Sequence, residues 1–218
     1  MIIDHTAPEY KSTRQRLAGG RFNGAYYYSR EIVKNIIPRV KTTRNWLTVN
    51  NYGPCPNHTI VFIHNNKNPE NYDWLVDQGI KDIVLVCGLE STAEKMKHLA
   101  PAIYLPLSVD IEEVKKHREG QNEKPLAYMG RLAKSFGISL PPQTEFLSGR
   151  PRAQLLRDVS HYKQVYAVGR CAIEAKILGC EVLPFDQRFP DPSIWQPLDN
   201  ADAAKILQQK LDEIDGGK

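Results

Sequence analysis

Short apolar runs rich in β-branched residues alternate along the chain with stretches whose apolar positions return every three or four residues. The first pattern spells parallel strands buried on both faces; the second spells amphipathic helices. In the first half, Met1–His5 reads as a short strand and Arg44–Asn50 as another. Between them Ala25–Val40 reads as a helix, with Tyr28, Ile32, Ile36 and Ile37 at helical spacing. Thr59–His64 (TIVFIH) and Asp82–Cys87 (DIVLVC) are continuous apolar runs of the buried-strand type. Pro69–Gly79 has proline near its start and glycine at its end, as helices prefer, and Glu90–Leu99 is helical again. Ala102–Val109 is extended.

Residues 111–124 (IEEVKKHREGQNEK) interrupt the pattern with charge and read as a linker whose first half can form a helical turn. The alternation then restarts. Leu126–Met129, Thr144–Leu147, Gln164–Val168 and Glu181–Phe185 read as strands, and Arg152–His161 and Arg170–Leu178 as helices. After a loop rich in proline and aspartate over 186–200, Ala201–Ile214 is a closing helix with Ala204, Leu207, Leu211 and Ile214 on one stripe. Strands alternating with helices predict parallel sheets wrapped by helices. The restart predicts two such units. The expected fold class is therefore α/β: two small Rossmann-like lobes, residues 1–110 and 125–218, joined by 111–124. A ligand would sit between them, outside the carboxyl ends of the strands.

Composition changes this picture little. The 218 residues are 41% hydrophobic and 25% charged, as in ordinary soluble domains. No apolar run approaches the roughly 18–20 residues of a membrane span. The opening MIIDHTAPEYK lacks the basic and apolar regions of a secretory signal. Cys55, Cys87, Cys171 and Cys180 form no C-x-x-C pair and no metal-type spacing, so a cytoplasmic setting and no metal are expected. Cys87 and Cys171 fall in apolar segments and read as small core residues. Charge adds more. Residues 1–50 hold nine Lys and Arg against three Asp and Glu, a local +6 in a chain of net +4. That imbalance fits an anionic partner or a solvated basic face.

The candidate chemistry lies where glycine meets arginine. Gly169-Arg170 follows the strand QVYAV and opens the helix RCAIEAKIL. The free N–H groups of a helix start attract anions, glycine lets a phosphate approach the backbone, and arginine can bind it bidentately. Glu174, one turn on, can accept from sugar hydroxyls or simply face solvent at a helix start. Gly130-Arg131 ends the strand LAYM, with Lys134 three residues beyond, so cations recur at a second strand end. Gly19-Gly20, before Arg21 and Gly24, can close over a phosphate from the other lobe, although it is neither a G-x-G-x-x-G nor a Walker loop. His64 ends a strand and can serve as acid, base or hydroxyl ligand, or as a structural histidine. No D-x-D motif points to a metal.

Taken in order, these motifs resemble a compact GT-B glycosyltransferase. VLVCGLESTAEKMKHLAPAIYLPLSVD (84–110) is similar to the family's passage between lobes. AYMGRLAK (127–134) resembles the opening of the donor lobe, GRCAIEAKILGCEVLP (169–184) its donor motif, and LDNADAAKILQQKL (198–211) its closing helix. The resemblance implies transfer of a sugar from a nucleoside diphosphate sugar, usually without metal and with no other cofactor. It implies that Arg131 and Lys134 hold the diphosphate, that Glu174 binds the ribose hydroxyls, and that Gly169 and Arg170 help seat the donor. Gly19 and Gly20 would match the first-lobe glycine loop, and His64 the histidine facing the donor sugar. Retaining members often carry a second glutamate seven or eight residues earlier, where this chain has Ala167 and Tyr166. The chain is also shorter than typical members. The basic first lobe suits an anionic acceptor: modified DNA, a phosphorylated polymer or a lipid phosphate. Two other readings stay open: a non-catalytic nucleotide- or nucleic-acid-binding protein using Tyr26, Tyr27 and Tyr28 to stack bases, and a GT-B enzyme such as a nucleotide-sugar epimerase. The apolar content of the small lobes also leaves room for a homodimer.

Overall fold

Strands apolar on both faces need cover on both faces, and parallel α/β units provide it. The computed structural model of the chain describes residues 1–3, 24–48, 55–63, 79–131, 135–184 and 186–216, with 24–27 as backbone only. The chain is an α/β protein with two Rossmann-like units. One comprises Met1–Pro106 and Asn200–Lys218; the other is Leu107–Asp199.

The first unit holds a parallel sheet of β1 (Ile2–Ile3), β2 (Asn45–Leu47), β3 (Thr59–Ile63), β4 (Ile83–Cys87) and β5 (Ala102–Tyr104), in that spatial order. Every residue of β3 and β4 is buried. The two-residue period of a strand splits them between the faces. Leu47, Val61, Ile63, Ile83, Leu85 and Cys87 pack against Ala93 and Met96 of helix α2 (Glu90–Met96). Trp46, Ile60, Phe62, Val84 and Val86 fill the other face, where the Trp46 and Phe62 rings stack with centroids 6.1 Å apart. Helix α1 (Gly24–Glu31) runs into a π-helical turn at Ile32–Ile36 and a 3-10 turn at Ile37–Arg39. Pro38 lacks the N–H to continue, and the chain turns extended at Val40.

The second unit begins where a linker was expected. Residues 111–124 form α3 (Ile111–Lys115), capped by the Asp110 carboxylate accepting from the Glu113 N–H at 2.9 Å, and then pack on the sheet. The Ser160 hydroxyl accepts from the Glu119 and Gly120 N–H groups, and Asn122 donates to the Tyr162 carbonyl at 2.8 Å. A Cβ on Gly120 would lie 2.6 Å from His161, so only glycine fits there. The expected 125–218 lobe also differs at its far end. The last helix of the chain, α6 (Asn200–Gly216), belongs to the first unit. Its stripe of Ala203, Ala204, Leu207 and Leu211 is buried there. Gln208 exchanges hydrogen bonds with the Lys41 backbone at 2.6 and 3.1 Å, and Asn200 donates to Glu31 at 2.7 Å. Arg44, 2% exposed, donates to Asp215 at 2.6 Å and to Asp82 at 3.1 Å.

The sheet of the second unit contains β6 (Lys124–Met129), β7 (Glu145–Phe146), β8 (Tyr162–Ala167) and β9 (Glu181–Leu183), all parallel, in the order β7-β6-β8-β9. Helix α4 (Arg152–Val159) precedes β8, and α5 (Arg170–Ile177) links β8 to β9. The order carries the functional content. From β6 the chain leaves toward β7 on one side; from β8 it leaves toward β9 on the other. The carboxyl ends of β6 and β8 therefore flank a topological switch point, the crevice where open parallel sheets bind ligands.

Candidate functional site

Met129 and Ala167 are register partners at the ends of β6 and β8. The two glycine–arginine pairs picked from the sequence thus emerge side by side at the switch point: Gly130-Arg131 after β6, Gly169-Arg170 after β8. Neighbouring strands lie about 4.8 Å apart, so both loops border one small space.

Gly169 caps α5 with φ 62° and ψ −135°, a conformation closed to residues with a Cβ, although a Cβ there would meet nothing nearer than Leu107 at 3.8 Å. Its carbonyl accepts from the Ala172 and Ile173 N–H groups and starts the helix. Gly130 is needed for the opposite reason. A Cβ would lie 2.8 Å from the Tyr128 hydroxyl, which folds across it to donate to the Arg131 carbonyl at 2.7 Å. Ser148 donates to the Gly130 carbonyl at 2.6 Å. The Gly130 and Arg131 carbonyls are thus both pinned. Burial pushes the Tyr128 phenol up to about 12, so the hydroxyl stays a donor. Arg131 is exposed.

Glu174 is 2% exposed, and its Oε1 accepts from two arginines. Arg170, four residues earlier on α5, donates through Nε at 2.7 Å. Arg152, the first residue of α4, donates through Nη1. The outcome is an Arg–Glu–Arg group at the carboxyl edge, in which a buried carboxylate oxygen accepts from two half-buried arginines. Sequence reasoning missed Arg152. The signal was a third glycine–arginine segment, Gly149-Arg150-Pro151-Arg152, after the strand at 144–147. Arg150 turns away to Asp158 at 2.6 Å and Glu145 at 3.1 Å, leaving Arg152 as the member that reaches Glu174.

Of the other sequence-derived candidates, Gly19, Gly20, His64 and Lys134 lie outside the described residues. Tyr166 and Ala167 sit in β8, half-buried and buried, so no carboxylate partners Glu174 from that strand. All four cysteines are free thiols. Burial pushes Cys87 up to about 12 and Cys180 to about 11, as inert core thiols require. Cys171, expected in the core, is half-buried in the first turn of α5. Among the described residues no group of three His, Cys, Asp or Glu side chains is arranged to hold a metal ion, and no helix is long and apolar enough to cross a membrane. A cavity of about 880 Å³ runs along α6 beside Arg39. Gln208, on its wall, is already engaged by Lys41 and Asp212, and among the described residues no strand end lines it, so its chemistry is weaker than that of the switch point.

No family model matches the chain, and no curated protein matches it. Fold and site therefore define the class: an α/β protein of two parallel-sheet units, the second with arginines gathered at its topological switch point.

Proposed function

We propose that the chain is a glycosyltransferase that moves a sugar from a nucleoside diphosphate sugar to an acceptor, with the second unit as the donor-binding lobe. One observation carries the reading: two glycine–arginine strand ends stand side by side at the switch point of a parallel sheet. That is where such folds place nucleotides, and arginine with helix-start N–H groups is the chemistry that holds a diphosphate. The order of motifs along the chain favours a sugar donor over a bare nucleotide.

In the reaction the bond between the anomeric carbon and the diphosphate oxygen breaks, and the acceptor oxygen bonds to that carbon. Negative charge grows on the departing diphosphate. Arg131 and Arg170, with Lys134, stabilise it before it leaves, so the barrier falls without reorganisation of water. The acceptor proton passes to the departing phosphate oxygen. The basic first fifty residues favour an anionic acceptor.

Thermal shift against nucleoside diphosphates and their sugars tests the donor site, because a ligand bound only by the folded state stabilises it by about 2.7 kcal/mol at a hundredfold excess over Kd. One base should raise Tm, and its sugar conjugate should release free nucleoside diphosphate slowly. Arg131→Ala should cut that release at least tenfold. A flat response across the whole panel would overturn the reading.

A further inference from the structure

Glu174 invites assignment as the acceptor of ribose hydroxyls, because it stands one turn into the helix after the glycine–arginine pair. Its surroundings argue otherwise. The residue is 2% exposed, whereas Arg131 is exposed and the Arg152 side chain is 23% exposed. Two guanidinium groups already converge on its Oε1. With its side chain only 3% exposed, the carboxylate offers a ligand hydroxyl little access. Of these groups Arg131 and Arg152 reach solvent, and the carboxylate does not.

We infer that Glu174 is an internal counter-ion that positions Arg152 and Arg170, and that Arg152 is a further anion-binding residue of the site. This rests on the donor-site reading above. Electrostatics give the reason for such a device. Two arginines held close together repel, and a shared buried carboxylate sets their spacing and offsets that repulsion. Both guanidinium groups are then held in fixed positions beside the carboxylate. Among these four residues, Arg131, Arg152 and Arg170 outnumber Glu174 by two formal charges. The diphosphate linkage of a nucleotide sugar carries two negative charges. The ligand selected is thus an anion recognised through its phosphates, with its sugar hydroxyls read by other groups.

Inorganic pyrophosphate, which has no ribose, separates the two roles of Glu174. Titration calorimetry would compare its Kd with that of the preferred nucleoside diphosphate for wild type, Glu174→Gln, Arg152→Gln and Arg152→Lys, all in the full chain. A counter-ion acts on both probes through the same arginines. Glu174→Gln should therefore leave the ratio of the two affinities within about twofold of wild type, whatever happens to each. Arg152→Gln should weaken both probes tenfold or more with its urea-unfolding midpoint within error of wild type, and Arg152→Lys should recover part of that loss; a purely structural arginine would lose stability and binding together. If Glu174→Gln lowers the preference for nucleotide over pyrophosphate tenfold while pyrophosphate binding holds, Glu174 is a ribose ligand and the inference fails. If Arg152→Gln binds pyrophosphate like wild type, Arg152 is structural and the inference fails. If the wild type binds neither pyrophosphate nor any nucleotide, the donor-site reading falls first and takes the inference with it.

Discussion

Two glycines at the switch point are required for different reasons, and a single methyl group tests each. Gly130→Ala places a Cβ 2.8 Å from the Tyr128 hydroxyl, which must give up its bond to the Arg131 carbonyl. A lost buried hydrogen bond plus displacement costs about 2 kcal/mol. Tm should fall and the β6 loop should exchange its amides faster, read by hydrogen exchange. Gly169→Ala meets no obstacle but is forced into a backbone conformation that L-residues avoid, at about 1–3 kcal/mol. Chemical denaturation should show that loss together with weaker nucleotide binding. A neutral Gly169→Ala would contradict the cap geometry. Both glycines were visible in the sequence as glycine–arginine pairs at strand ends. Their different constraints were not, because Tyr128 comes from inside β6 and its reach across Gly130 depends on a rotamer.

At the level of elements, polar links tie strands to their neighbours, and some of them titrate. The Tyr128 phenol is raised from its ordinary 10.0 to about 12 by burial. A raised group of this kind contributes stability that is fully present below pH 10 and lost as pH rises toward 12. Tyr128→Phe should therefore flatten the alkaline arm of the stability curve between pH 10 and 12, measured by urea unfolding. The acid arm has its own group. The Tyr162 hydroxyl, and next Arg150, hold the Glu145 carboxyl below its ordinary 4.5. Its contribution is present above pH 4.5 and lost as pH falls further, so Glu145→Gln should soften acid unfolding of the second unit. In the first unit, Arg44 joins the start of β2 to Asp82 before β4 and to Asp215 on α6. Arg44→Met should cost about 2–3 kcal/mol through lost charged hydrogen bonds. Strand positions were readable because apolar runs carry their own period. Arg44 was not, since nothing in RNWLTVN marks one arginine as 2% exposed.

For the whole molecule, the main revision concerns the last helix. Local pattern predicts α6 as an amphipathic helix but is silent on which sheet takes its apolar face. Ala203, Ala204, Leu207 and Leu211 are buried in the first unit, with Gln208, Asn200 and Asp215 as polar anchors to Lys41, Glu31 and Arg44. Truncation after Asp199 should therefore unfold or loosen the first unit while β6, β8 and β9 keep slow-exchanging amides. The reverse pattern would refute this assignment of units.

The alternation of buried runs and amphipathic stretches was enough to specify an α/β protein with two parallel sheets, because strand and helix periods are local properties. The same local signals marked Gly130, Arg131, Gly169, Arg170 and Glu174. Their meeting at one edge depended on strand order. The β7-β6-β8-β9 arrangement sets β6 beside β8 across 32 intervening residues, and α4 brings Arg152 to Glu174. Pairing partners and burial are long-range outcomes of packing. They set Glu174 in a buried position where Arg152 and Arg170 both donate to it.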